Sequence, residues 1–446
     1  MSLFALLLLA ASTMACPQNS RSGVESQAHD RQLAVSASPQ GAPAGEARGV
    51  TFRNFNGANG LLGLSITKPL GLGWFRDCLG LSAIEPQKGK WDWAKTDQRV
   101  QAAHSQGAEY LPCLLGTGWA TSAPKGFGPA TNIQDWEDFV EQFVGHYSAP
   151  PFNLRYYEIW NEPTRQAGFW SGTDQQFIDL IYLPAAKIVR QHHCFAVLGG
   201  WPVSNSVQEL SQVLNYHNAW QWTDIVSLHY KDVAAWQEVY NEWVKTGKCH
   251  GIWQTEVGWD QTPKKLPDLY LKSLYWALQA GWKDPDQYKL FWFTIAGPGA
   301  DADKCLLRSE GGKYTLTANG QRLAVMSDVL SGGSLAPFAQ FQMTPALPQA
   351  VATDAQAALG FKVGTNRTVI AFLLDQATIQ KPALALSIGV TAIPKHTTLV
   401  TASGQRQELK GNFTGGTWHV SVPLEAVKNE SPCPTCALTV AYLEIE

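Results

Sequence analysis

Tyr156-Tyr157-Glu158-Ile159-Trp160-Asn161-Glu162-Pro163 is the stretch on which the fold turns. It opens as an aromatic and apolar run, the composition of a strand buried on both faces of a parallel sheet. Pro163 cannot donate to a central ladder, so the strand ends at Asn161-Glu162. A carboxylate and an amide therefore stand at the C-terminal end of a buried strand, which in a barrel of alternating strands and helices is where chemistry sits. Glu158 precedes Glu162 by four residues and falls on the same side by period-two alternation. It lies deeper in the barrel, where an internal partner is expected.

Outward from this stretch, short apolar runs alternate with amphipathic segments, the pattern of parallel α/β structure. Strands are expected at 51–56, 74–81, 109–115, 155–160, 195–199, 224–229, 251–256 and 289–294. Helices are expected at 93–106, 135–147, 174–192, 207–219, 236–246, 266–280 and 318–330. Eight strand–helix units over residues 49–334 predict a (β/α)₈ TIM barrel, whose usual size is about 250 residues. Only Gly60 to Leu72 separates the first two strands, so the first helix must be short or irregular. Residues 335–446 change character, with short β-rich runs at 361–363, 368–373, 384–388, 397–401, 417–422 and 437–443. These predict an all-β, sandwich-like module.

The formal net charge of −3 offers no basic field for nucleic acid. Charged residues are only 16% of the chain, whereas 18 Trp, 18 Phe and 13 Tyr make it rich in rings. Rings fill cores first. Surplus tryptophans suit sugar clefts, because apolar C–H faces stack on them while the indole N–H stays free to donate.

The second carboxylate is Glu256, in Ile252-Trp253-Gln254-Thr255-Glu256-Val257-Gly258-Trp259, again at the end of an apolar strand. By count the two carboxylates end the fourth and seventh strands and face each other across the barrel mouth. Glycosidic cleavage needs such a pair, one acid protonated and one ionised. A Trp-Asn-Glu-Pro on strand 4 and a Thr-Glu-x-Gly-Trp on strand 7 resemble the retaining glycoside hydrolases of clan A. Trp74-Phe75-Arg76, Ile84-Glu85-Pro86 through Trp91-Asp92-Trp93 with Asp97, Gly168-Phe169-Trp170 and Leu290-Phe291-Trp292-Phe293-Thr294 are similar to glycoside hydrolase family 39. The layout of leader, barrel and trailing β-module is most similar to the bacterial exopolysaccharide hydrolases of that family.

The resemblance, which covers about residues 50–335, implies a role for each matching position. Glu162 is the acid/base and Glu256 the nucleophile. Asn161 holds the sugar 2-hydroxyl, Arg76 sits under the nucleophile, and His229 ends strand 6. Tyr230 stands where the clan often reads His-x-Tyr, whereas this chain reads His229-Tyr230-Lys231. Trp292 floors the sugar subsite, with Trp119, Trp170 and Trp259 as further cleft candidates. Plainer readings stand beside these. Arg76-Asp77 suits a buried ion pair, His229 a satisfied core histidine, and each tryptophan a packing ring. Glu85 belongs to a structural loop. His192-His193-Cys194 resembles a metal motif but lies at the N-terminal, structural end of its strand.

The expected partner is a carbohydrate polymer or oligosaccharide, with endo action favoured by an open cleft. No cofactor or metal is required, and a monomer is expected. An endo-glucanase, mannanase or xylosidase specificity within the clan is the alternative substrate reading. A glycan-binding protein on an inactive barrel is the alternative of another class. Residues 1–16 read as a signal peptide with the apolar run Leu3 to Ala11. Ala15-Cys16 resembles the end of a lipoprotein site, so Cys16 is either lipidated, giving the one membrane contact, or removed by ordinary cleavage. Residues 17–48 form a flexible linker. Cys433-Pro434-Thr435-Cys436 suits a small disulfide in an oxidising compartment, with a zinc or redox motif as the plainer alternative, discounted because no second Cys pair or nearby His completes a metal site.

Overall fold

The computed structural model describes residues 49–446 apart from 61–64, 259–265, 298, 350, 353 and 430–437. The signal and linker assignments, Cys16, Trp259, Cys433 and Cys436 lie outside the described residues. Eight parallel strands close into a barrel. They are β1 (Asn56–Asn59), β2 (Trp74–Leu79), β3 (Glu109–Leu114), β4 (Tyr156–Asn161), β5 (Phe195–Gly200), β6 (Ile225–His229), β7 (Gly251–Val257) and β8 (Tyr288–Trp292).

Inward side chains fill the barrel in layers. Trp74, Leu111, Tyr156, Val197, Ile225, Trp253 and Phe291 form an apolar plug near its base. The buried ammonium of Lys289 closes the plug 4.2 Å from the Trp74 ring centroid and 5.0 Å from that of Trp253. Its charge is offset by Asp286 and the carbonyls of Asn54 and Pro285. The next layer is polar: Arg76, Glu158, Ser227 and Thr255 are all buried. The hydrophobic base thus supports a charged floor directly under the mouth.

The first strand departs from expectation. Residues Phe52–Phe55 form a one-turn helix, and the strand follows at Asn56–Asn59. Thr51 and Asn54 make a reciprocal capping box, and Phe52 and Phe55 bury one helical face. The strand itself, Asn-Gly-Ala-Asn, carries no large apolar residue, because a Cβ at Gly57 would lie 2.5 Å from the inward Phe291 ring. A 3₁₀ segment, Ser65–Leu70, occupies the short first connection. The helix expected at 174–192 has a π-helical stretch, Ile178–Tyr182, within it. The helix expected at 207–219 ends at Asn215. An unanticipated three-stranded sheet of Ala296–Gly297, Leu307–Glu310 and Lys313–Leu316 precedes the last helix, Ala318–Leu330.

The C-terminal portion pairs a six-stranded and a four-stranded antiparallel sheet. Ile370, Phe372, Leu386, Val420 and Leu443 fill the space between them. Alternate residues on the outer face of the larger sheet, among them Leu359, Phe361 and Tyr442, join the barrel's own core. Phe361 meets Tyr275 edge-on, with ring centroids 5.6 Å apart. This explains why the helix Leu266–Gln279 is buried almost all round. Its Lys272 pairs with Asp268 and donates to the Ala355 carbonyl at 2.6 Å. The strands missed in this region, including Leu335–Phe338 and Arg406–Glu408, are short and lie at sheet edges.

Candidate active site

The mouth is assembled by two local departures from regular strand geometry. On β4, Trp160 has φ 74°, Glu162 has φ 45°, and the β5 register passes from Ile159 to Asn161. The twist sends Trp160 outward, where it meets Trp136 and Trp170 edge-on, and turns Asn161 and Glu162 over the barrel. Non-glycine residues at such φ cost about 1–3 kcal/mol each and persist where the surrounding structure over-determines them. Here the Trp160 indole N–H is anchored to the Phe169 carbonyl at 2.8 Å, and the Glu162 amide to the Gly200 carbonyl at 3.1 Å. On β7, alternation from inward Trp253 would place Thr255 inward and Glu256 outward. Register shifts against both β6 and β8 admit an irregularity that brings both side chains inside.

Arg76 organises what lies beneath. It is fully buried, and its guanidinium donates to Glu158 Oε2 at 2.5 Å, Asn59 Oδ1 at 2.8 Å, Glu256 Oε1 at 2.7 Å and Asn161 Oδ1 at 2.7 Å. Burial alone would lower its pKa, but the carboxylates of Glu158 and Glu256 hold it well above its ordinary value. Arg76 stays charged. Its bond to Asn161 Oδ1 leaves the amide nitrogen with no hydrogen-bond partner among the described residues, free for a ligand oxygen.

Glu256 takes a second donor, the Tyr230 hydroxyl, 3.3 Å from Oε2. Tyr230, at φ 54°, reaches the carboxylate although it directly follows His229. Glu162 Oε1 lies 3.0 Å from His229 Nδ1, and His229 Nε2 lies 3.0 Å from Thr255 Oγ1. Thr255 Oγ1 donates to Glu158 Oε1 at 2.7 Å, and Ser227 supports the same oxygen at 3.0 Å. If Thr255 gives its proton to Glu158, it accepts from His229 Nε2–H, so the hydrogen bonds run unbroken from Glu162 through His229 and Thr255 to Glu158. The histidine ring fits only because residue 200 is glycine: a Cβ there would lie 1.8 Å from Nε2.

Oxygens of Glu162 and Glu256 and a His229 ring nitrogen all lie within 4.8 Å of one another. Such a trio has the donor types of a metal site. The Arg76 cation already bonded to Glu256 opposes a second cation there. The arrangement sets one carboxylate against a buried guanidinium and the other against a histidine ring.

Of the rings expected at the cleft, two are buried among other side chains. Trp292 is fully buried, packs near Tyr270 of the outer helix layer, and donates to the Lys304 carbonyl at 2.9 Å. It does not floor the mouth, because Phe291 is the inward residue and alternation sends its neighbour outward. Phe293, just past the end of β8, is half-buried. Trp170 is also a packing ring, 5.3 Å edge-on from Trp160 with its N–H on the Thr173 carbonyl. Trp119 is half-buried on the loop after β3, held by the Glu85 carbonyl at 2.7 Å, and remains at the rim. Cys78, inward and exposed, and Ser227 and Thr255 escaped sequence analysis; alternation from Arg76 would have found Cys78. Glu85 accepts from the Gly89 amide and His192 pairs with Glu141.

No family model matches the sequence, and no curated protein matches it. Solved structures do. A glycoside hydrolase family 30 endoxylanase from Clostridium papyrosolvens is 12% identical, with 90% of this chain and 98% of that one covered and a TM-score of 0.60. A family 39 glycoside hydrolase from the gut symbiont Bacteroides cellulosilyticus is 13% identical, with 89% and 82% covered and a TM-score of 0.61. A glucosidase from Croceicoccus marinus is 14% identical, with 89% and 96% covered and a TM-score of 0.58. At these identities the likeness is one of fold, extending over the barrel and the β-module together.

Proposed function

We propose that the chain is a retaining glycoside hydrolase acting on a polysaccharide, with Glu162 as acid/base and Glu256 as nucleophile. The observation that carries this reading is that an oxygen of Glu162 and an oxygen of Glu256 lie within 4.8 Å of each other across the mouth. Retaining enzymes hold the pair about 5–5.5 Å apart, whereas inverting enzymes leave about 6.5–9.5 Å for a water. The fold likeness to glycoside hydrolases supports it.

Each group has a task that its surroundings favour. Arg76 and Tyr230 complement the negative charge of Glu256 and aim it at the anomeric carbon. Glu162 donates a proton to the departing glycosidic oxygen as Glu256 forms the covalent glycosyl-enzyme. Glu162, then ionised, takes a proton from water, which attacks the same carbon and frees the sugar. The unpartnered Asn161 amide reaches a sugar hydroxyl. A surface pocket lined by Tyr230, Val203, Lys231, Asp232 and Glu238 would give room for a further sugar. With the short connection after β1, it favours endo action. Export through the leader at 1–16 is part of the proposal, to be checked by fractionating cells that express the full chain.

The test is a panel of aryl glycosides and polysaccharides with wild type, Glu162→Gln and Glu256→Gln. Both variants are expected to keep their circular dichroism and lose nearly all turnover. Near-wild-type hydrolysis by either removes its assigned role. Binding without product release across the panel makes the protein a glycan binder instead.

A further inference from the structure

Two thiols stand at the barrel mouth that the proposed hydrolysis does not use. Cys78 on β2 lies two residues past Arg76, shares its inward side and is exposed. Cys113 on β3 is buried and is Cys78's direct register partner. Their Sγ atoms are 3.4 Å apart. Cys113 Sγ also lies 3.3 Å from the Trp160 carbonyl, and Cys78 Sγ lies 3.9 Å from Asn161 Oδ1. Neighbouring strands run about 4.8 Å apart, within the roughly 4.4–6.8 Å between Cα atoms that a disulfide spans. Rotation of the side chains therefore closes the gap without moving a strand. Burial pushes the Cys113 thiol well up, whereas Cys78 is open to solvent and stands beside the Arg76 guanidinium, so Cys78 is the thiol that external reagents reach. The other described cysteines, Cys194, Cys249 and Cys305, are buried.

We propose that Cys78 and Cys113 form a self-resolving thiol pair in the cleft, Cys78 reacting with external disulfides and Cys113 clearing the adduct. The Cys78 thiolate attacks one sulfur of a small-molecule disulfide, forming a mixed disulfide and expelling one thiolate, which takes up a proton. Cys113, giving its proton to solvent, then attacks the Cys78 sulfur and expels the second thiol. The protein loses two protons and two electrons, and the external disulfide gains both. The geometry gives this exchange a purpose. An adduct on Cys78 projects into the space beside Asn161 where a saccharide would lie. The internal disulfide adds no group and leaves that space open. This last consequence rests on the hydrolase reading; the exchange chemistry does not.

The experiment treats the full chain with oxidised glutathione and reads intact mass, a non-reducing peptide map and hydrolysis of an aryl glycoside that the wild type cleaves. Wild type is expected to lose the mass of two hydrogens, to yield a linked Cys78–Cys113 peptide and to retain its rate. Cys113→Ser is expected to gain one glutathione on Cys78 and lose most of its rate until dithiothreitol restores it. Cys113→Ala repeats this where the serine hydroxyl disturbs the core. A stable glutathione on wild-type Cys78, or no reaction at either thiol, overturns the proposal. A linked peptide in a chain that cleaves no glycoside upholds the thiol pair and counts against the hydrolase reading alone.

Discussion

Gly200→Ala probes the proton relay without touching any group that carries a proton. The added methyl would stand 1.8 Å from His229 Nε2, whereas ordinary contact begins at 3.4 Å. The ring must retreat by about 1.6 Å, or the β5 backbone must move with it. Either way the two 3.0 Å contacts of His229, to Glu162 and to Thr255, stretch beyond hydrogen-bond range. A misplacement of about 1 Å at a reacting group costs about a hundredfold in rate, or roughly 2.7 kcal/mol of transition-state stabilisation. Overpacking should cost a further 1–3 kcal/mol or so of stability, a fall of a few degrees in Tm. The assay is kcat/KM on an aryl glycoside for wild type, Gly200→Ala, His229→Ala and the double variant. If the loss runs through the ring, Gly200→Ala costs little in the His229→Ala background. A full hundredfold loss in that background, or near-wild-type turnover of Gly200→Ala alone, refutes the relay.

Three further outcomes follow from the same geometry. Tyr230→Phe removes the donor 3.3 Å from Glu256 Oε2, so kcat should fall about tenfold with Tm unchanged, as for one lost hydrogen bond to a charged group. Trp170→Ala should cost about 3–5 kcal/mol by melting while KM holds, because the ring packs on Trp160 rather than on substrate; a raised KM with an unchanged Tm would return it to the cleft. Truncation after residue 335 should yield aggregated barrel, because it uncovers the helix Leu266–Gln279 and strands the Lys272–Asp268 pair, and would fail as a test of bracing only if the shortened chain stayed soluble and folded.

The sequence disclosed the barrel because its middle strands are long apolar runs ended by Pro or Gly, and such runs need no tertiary context to be read. Both glutamates were legible for the same reason, each at the end of a run. Glu158 and its inward direction came from alternation alone. What failed did so where alternation itself breaks. The irregularity in β7 and the positive φ at Trp160 set side-chain directions that no spacing encodes. Trp292 was assigned inward by resemblance, one residue out of phase with Phe291. β1 was missed because close approach of Phe291 demands a glycine where strand patterns favour bulk. Ser227 and Thr255 carry no motif; only the barrel's closure brings them to Glu158.

The central claim is that Glu256 attacks the sugar directly and Glu162 serves both halves of the reaction. Proton NMR of the first hemiacetal released from a substrate of known anomeric configuration reads that claim before mutarotation blurs it. The account predicts a product of the same configuration as the bond cleaved. A first product of opposite configuration would mean that water, and not Glu256, attacks the anomeric carbon, and would contradict it.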